Sequence, residues 1–289
     1  HSEYSLLDGA IRIPQLIATC KECGDTAVAL TDNGNMFGAI DFYFGAKEQG
    51  LNPILGCEIY LTEDMSVKHK SSERLILLCQ NYEGYQNLCH IVTEGHVHGF
   101  YYHPRVDIAC LRDHASGLIA ISPGYWGPVA QHIHMHFLDK AKEIAQILAG
   151  VFPDRFYIGL QRTGELGGDQ LCDDSLELAR DIKVPVVALN DVYFLNNDDG
   201  WMQDLLRCIK IGREIDLDDQ NNSKRSQHGL KTNDEMQTLF SDIPEAIQNT
   251  ALIAKQCDVE IVADQVLLPH FECPNNMAPE IYLEQLVWI

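Results

Sequence analysis

The side chains in this sequence with the most chemistry to offer are one imidazole and a set of carboxylates. His1 and Asp8 lie in the opening HSEYSLLDGA, Asp32 in TDN, Glu58 in GCE and Asp191 in NDVY. Hard oxygen ligands with an imidazole suit a Mn, Mg or Zn site in which a bound water is activated for hydrolysis. The spacing alone leaves a second reading open, because an aspartate at the end of a strand also serves to cap the helix that follows.

Short apolar runs must carry these residues. Thr26–Thr31, Ile54–Leu61, Arg74–Cys79, Gly117–Ser122, Arg155–Leu160 and Val184–Leu189 read as buried strands. Between them, Ile13–Cys23, Ala39–Gln49, Tyr82–Thr93, Pro128–Ala149 and Asp169–Asp181 read as helices, with Pro14 and Pro128 in first turns and Gly24, Gly50 and Gly150 at ends. This alternation predicts a parallel α/β sheet, open or closed into a barrel, with functional residues at the carboxyl ends of the strands. Asp32, Asn33, Glu58 and Asp191 fall at or near such ends.

From Asn196 onward strand signals fade. A polar loop is expected over Asp216–Gln227, followed by two helices, the second starting at Ser241–Pro244 and running to about Cys257. Pro269, Pro274 and Pro279 mark Val266–Pro279 as a linker, and Tyr282–Ile289 starts a new helix. We therefore divide the chain into residues 1–265, a barrel with a helical extension, and residues 266–289, the start of a further region. Both ends read as cut from a longer chain.

Composition narrows the function. With 42 acidic against 21 basic residues the formal net charge is −21, and a surface of that sign repels phosphate backbones. No apolar run is long enough to cross a membrane, and no secretory leader is visible. The ten cysteines then read as reduced thiols of a cytosolic protein. Cys20 and Cys23 form a lone CxxC without a second metal-binding pair, so packing is the expected role.

The ordered motifs HSEYSLLDGA, LTDNGNMFGAIDFYFGAKEQG, NPILGCEIYL, GFYYHPRVD, VVALNDVYF and FSDIPEAIQNTALIAKQCDVEI resemble, over the whole chain, the amino-terminal PHP (polymerase and histidinol phosphatase) domains of bacterial replicative DNA polymerase III α subunits. The resemblance implies a distorted (β/α)7 TIM-like barrel whose helical carboxyl-terminal extension leads into a polymerase palm. It also implies a multinuclear metal site, to which His1, Asp8, Glu58 and Asp191 correspond as ligands. Other ligand positions are substituted. Asn33 stands where T-D-H-G would place a histidine, Tyr193 where Asp-x-His would, and Thr163 follows the sixth strand of the family pattern in place of another; Glu94 falls near a further one. One of His96, His98 and His103 is a possible replacement.

Asn, Thr and Tyr are poor substitutes for neutral imidazole. The expectation is therefore a degenerate site without activity of its own, holding no firm cofactor and at most weak Mg or Mn. By resemblance the segment braces the palm and thumb and docks the proofreading exonuclease subunit, while DNA and the sliding clamp are met through other domains, in the bacterial cytoplasm. The competing readings are an active metal-dependent PHP phosphoesterase or 3'-5' exonuclease, and a PHP domain of an X-family polymerase. His132, His134 and His136 form a separate tract on a predicted helix, where His132 and His136 would share a face; it reads as surface histidines.

Overall fold

The structure, a computed structural model, describes all residues except 71, 165–166, 215–225, 264–270 and 289. Two compact units divide it, His1–Val259 and Glu260–Ile289. In the first, the strands are β1 (Ala27–Asn33), β2 (Asn52–Leu61), β3 (Glu73–Cys79), β4 (Phe100–Tyr101), β5 (His103–Val106), β6 (Leu118–Ser122), β7 (Phe156–Gln161) and β8 (Val186–Leu189). The helices are α1 (Ile13–Glu22), α2 (Ala39–Glu48), α3 (Tyr82–Val97), α4 (Ile108–Asp113), α5 (Pro128–His134), α6 (Leu138–Val151), α7 (Gly168–Ile182), α8 (Gly200–Ile211), α9 (Asn233–Leu239) and α10 (Pro244–Gln256). The second unit holds α11 (Pro279–Val287), with the rings of Phe271 and Tyr282 stacked 6.0 Å apart.

All six strands expected from the apolar runs form, in one sheet ordered β1-β2-β3-β6-β7-β8, with the β4–β5 hairpin continuing the β1 edge of β2. The expected all-parallel sheet needs one correction. β3 runs antiparallel to both β2 and β6, because the described residues of the 62–72 connection form no crossover helix, which a parallel connection requires. The reversal brings Arg74, at the start of β3, opposite Tyr60 near the end of β2.

Residues 1–10 draw the two sheet edges together. His1 N donates to Val192 O (3.0 Å) and Ala10 N to Tyr193 O (2.9 Å), just beyond β8, while Ser2 N reaches Asp32 Oδ1 (2.6 Å) on β1. The sheet is thus curled as in a barrel, although β1 and β8 make no ladder with each other among the described residues.

The interior at the opposite end is packed. Ile54, Leu78, Ile119, Ile121, Tyr157 and Val187, from five strands, form one buried cluster with Ile253 and Cys257 at the end of α10. Polar pins fix that helix: Asn52 Nδ2 donates to Ala254 O and Cys257 O, and Asn249 Nδ2 to Val186 O. The helical segment beyond β8 is therefore in part a plug for the amino-terminal ends of the parallel strands, leaving their carboxyl ends, with the start of the reversed β3, for a site.

Local signals set most helix boundaries. α3 starts where Asn81 Oδ1 accepts from Gly84 N at 3.0 Å. Replacing this cap, Asn81→Ala, is expected to cost about 1 kcal/mol in urea denaturation. The single helix expected over 128–149 is two, α5 and α6, because the chain turns at His136, whose φ is 61°. His132 and His136 therefore share no helical face. The hairpin, α4 and α8 have no counterpart in the sequence expectation. Most of the polar loop at 216–227, and residues 266–270 of the expected linker, lie outside the described residues.

Candidate functional site

The site begins with a buried carboxylate. Asp32, near the end of β1, accepts from Ser2 N (2.6 Å) and Ser5 Oγ (2.7 Å) on one oxygen and from Ser2 Oγ (2.7 Å) on the other. Ser5 Oγ in turn accepts from Asn33 N at 3.1 Å. Both serines are fully buried. Asp32 is consequently committed to holding the opening loop on β1.

That loop delivers His1 to the other edge. His1 Nε2 lies 3.1 Å from Asp191 Oδ1 and 3.9 Å from Glu58 Oε2, and Nδ1 lies 3.4 Å from Ser5 Oγ. Its ring stacks on Tyr193 with centroids 4.7 Å apart. Burial opposes a charged imidazole here, but the Asp191 hydrogen bond and the carboxylates of Glu58, Asp191 and Asp32 outweigh it and raise the His1 pKa. At Asp191 burial works toward protonation, yet contact with His1 wins and the carboxyl pKa falls. At Glu58 burial prevails over His1 and Arg74, and the pKa rises.

Arg74 closes this group. Its Nη1 donates to Glu58 Oε1 at 2.7 Å and to the Tyr193 hydroxyl at 3.3 Å, and its guanidinium lies 5.5 Å from the Trp126 ring centroid and 6.0 Å from that of Tyr60. Tyr193 is buried, which pushes its hydroxyl pKa well above the phenol range. It therefore stays a neutral hydroxyl that packs on His1 and accepts from Arg74.

Asp8 has a different partner. Lys210, near the end of α8, places Nζ 2.6 Å from Asp8 Oδ2, and Asn33 Nδ2 approaches the same oxygen at 3.4 Å. The Asn33 side-chain oxygen Oδ1 is buried and has no protein partner. The structure thus gathers His1, Glu58, Asp191 and Tyr193 into one bonded group and joins Asp8 to Asn33 beside it.

The PHP resemblance implies metal ions at this place, and the donor set decides whether they suit it. Glu58 Oε1 is bonded to a guanidinium, Asp8 Oδ2 to an ammonium and His1 Nε2 to Asp191. A metal ligand needs those lone pairs free and the imidazole neutral. Among the described residues no three His, Cys, Asp or Glu side chains form a group able to hold a metal ion. As arranged, the residues do not fit a divalent ion.

The remaining sequence candidates lie outside the bonded group. Glu94, on α3, pairs with His98 Nδ1 at 2.7 Å, and both are exposed. Thr163 is buried just beyond β7 and takes no part in these bonds. His96 Nε2 is tied to Gly34 O at 2.9 Å. His103 stacks on Tyr60 at 4.3 Å, where burial and then the charges of Lys210 and Arg74 lower its pKa. In the histidine tract, His132 Nδ1 is bonded to Pro128 O at 2.7 Å and faces Glu73 at 3.4 Å, while His134 lies against Tyr125. Cys20 is buried, its thiol pushed up to about 12 chiefly by desolvation, and Cys23 is exposed; all ten cysteines are free.

Two rim residues escape a reading based on strand–helix alternation. An all-parallel sheet puts the start of Arg74–Cys79 at the opposite end of the barrel, so Arg74 is misplaced unless the missing crossover after Leu61 is weighed. Lys210 belongs to α8, which follows β8 and whose apolar face is largely exposed: Trp201, Leu205 and Ile209 all remain solvent-accessible. An exposed face leaves little hydrophobic signal distinguishing inside from outside.

Comparison with known proteins adds a family and a set of relatives. Residues 1–163 match the PHP domain family. DNA polymerase III subunit alpha of Campylobacter jejuni is 36% identical over 97% of this chain and 24% of its own length. The same-named proteins of Borreliella burgdorferi (36% identical, 99% of this chain, 26% of theirs) and Pseudomonas aeruginosa (34%, 98% and 24%) align likewise. The chain therefore spans about a quarter of the length of these curated relatives.

Proposed function

The chain belongs to the PHP-domain family, and from that premise we propose that it is the PHP segment of a bacterial replicative DNA polymerase α subunit, acting there as a structural barrel and docking the proofreading exonuclease subunit. The near-complete alignment with three α subunits carries this reading. On it, nucleotidyl transfer with Mg belongs to a palm elsewhere in the parent. DNA and the sliding clamp are met by other domains, since a net charge of −21 opposes contact with phosphate backbones. A cytoplasmic location follows from the same reading, and no described helix is long and apolar enough to cross a membrane.

A role in docking rather than cutting is supported by the cations at the rim. A hydrolase of this type needs an open coordination position for its nucleophilic water, whereas here Arg74 bonds one oxygen of Glu58 and Lys210 one oxygen of Asp8. The full-length α subunit should retain the purified exonuclease on an affinity column, and a version lacking residues 1–259 should lose at least about tenfold in affinity, equivalent to about 1.4 kcal/mol. Equal retention by both would remove the docking role. Removal of a 3'-terminal nucleotide from a primer by this chain in Mn or Mg would replace the structural reading with the exonuclease one.

A further inference from the structure

We infer that Arg74 and Lys210 are the resident cations of this rim, supplying with fixed protein charge what a divalent ion would otherwise supply to Glu58 and Asp8. The inference rests on the structural reading above in that it treats the rim as a brace. It goes further in naming the residues that make the brace independent of metal.

One arginine and one lysine together carry two positive charges, the charge of a single Mn or Mg ion. They also approach the carboxylates directly: Arg74 Nη1 lies 2.7 Å from Glu58 Oε1, with only 18% and 5% of the two side chains exposed, and Lys210 Nζ lies 2.6 Å from Asp8 Oδ2. A buried carboxylate stripped of its cation is strongly destabilising, so Arg74 is needed wherever no metal balances Glu58; the Lys210–Asp8 pair, 36% and 15% exposed, contributes less.

Their attachments differ from those of a diffusible ion. Arg74 is part of β3, backed by Trp126 and bonded to Tyr193 beyond β8. Lys210 is part of α8 and reaches the opening loop. A metal would join side chains alone. These cations instead join β3 to Glu58 and Tyr193, and α8 to residues 1–8, through covalent stems, and chelators cannot remove them. Neither group polarises water as a Lewis acid does, so the rim is electrostatically satisfied while lacking a hydrolytic nucleophile.

Thermal unfolding of the full chain and of Arg74→Met, Lys210→Met and the double variant, in EDTA and during titration with Mn2+, tests this. All four proteins carry nearly the same acidic surface, so differences between them report the rim and not general cation binding. The native midpoint should be equal in EDTA and in Mn2+ after correction for ionic strength. Each single variant should melt roughly 2–8 °C lower in EDTA, recover part of that loss in Mn2+, and bind the ion, by electron paramagnetic resonance, at least tenfold more tightly than the native chain. Lys210→Arg should behave as native. Should Arg74→Met fail to fold, the half-exposed Lys210→Met pair carries the same comparison.

Equal response of native and Lys210→Met proteins to Mn2+, or a native chain that EDTA destabilises, would overturn the inference. Hydrolysis of bis-p-nitrophenyl phosphate by the native chain is scored alongside. Hydrolysis would sink the structural function itself, whereas Mn2+ stabilisation of the native chain without hydrolysis would sink only the assignment of Arg74 and Lys210 as its replacements.

Discussion

Replacing Asp32 with alanine is expected to destabilise the chain by about 4 kcal/mol, because it strands three buried donors at once, each costing about 1–3 kcal/mol when left unpaired. Ser2 N, Ser2 Oγ and Ser5 Oγ all end on this carboxylate at 2.6–2.7 Å, and both serines are fully buried. Ser5 Oγ also holds Asn33 N on β1.

Two further variants separate hydrogen bonding from packing. Asp32→Leu fills the space but accepts nothing, so it should fall with alanine. Asp32→Asn keeps one oxygen for Ser2 N, and its amide group can donate to Ser2 Oγ, which already accepts from Tyr4 N at 3.2 Å. That variant should lose about half as much, roughly 2 kcal/mol. Urea denaturation followed by circular dichroism provides the measurement. Asparagine and alanine costing the same, or leucine restoring native stability, would mean that the three bonds do not hold the loop. A second consequence is local. His1 is positioned by this loop, so its ring should lose its stacking on Tyr193 in Asp32→Ala, visible as a changed His1 resonance in NMR.

Much of this arrangement is legible in the sequence, and the exceptions have physical causes. β2 and β6 are almost wholly buried, so their runs, NPILGCEIYL and LIAIS, announce themselves by unbroken hydrophobicity. Glu58 is conspicuous because it interrupts such a run, and a carboxylate inside a buried strand needs a partner. The identity of that partner is not legible. Arg74 lies beyond a loop whose length says nothing about strand direction until the absence of a helix in residues 62–72 is noticed. Two-residue β4 is too short to show any periodicity. The histidine tract misleads for a related reason: VAQHIHMHFLDKA has continuous helical propensity, and only the left-handed turn at His136 breaks it. Asp32 stays ambiguous in the sequence, since carboxylates at strand ends look alike whether they bind metal or serine hydroxyls. Ser2 and Ser5 carry the distinguishing signal, in their three-residue spacing around a loop that must fold back on β1.

Arg105→Met is expected to cost about 4 kcal/mol as well, through the carbonyls it leaves behind. Arg105 on β5 is only 1% exposed. Its Nε donates to Gly99 O at 3.0 Å, Nη1 to Val67 O and His69 O at 2.9 Å each, and Nη2 to Met65 O at 3.3 Å. Tyr101 covers the guanidinium, its ring centroid 5.6 Å away. A planar fork of five N–H donors is the one side chain able to reach four carbonyls from a single strand position. Three of those carbonyls belong to the β2–β3 connection, the segment that reverses the chain and sets Arg74 against Glu58. Methionine preserves the length of the stem while removing every donor, so the cost reports bonding more than a cavity. Lysine brings its charge to one or two carbonyls and should lose about 2 kcal/mol. Limited proteolysis adds a readout that global stability does not: in Arg105→Met, cleavage within residues 65–69 should precede cleavage elsewhere, and in Arg105→Lys it should lie between that rate and the native one. A methionine variant within about 1 kcal/mol of native, with residues 65–69 still protected, would show that the connection is held by its own turns. In that case the placement of Arg74 at the rim would depend on the β2–β3 ladder alone.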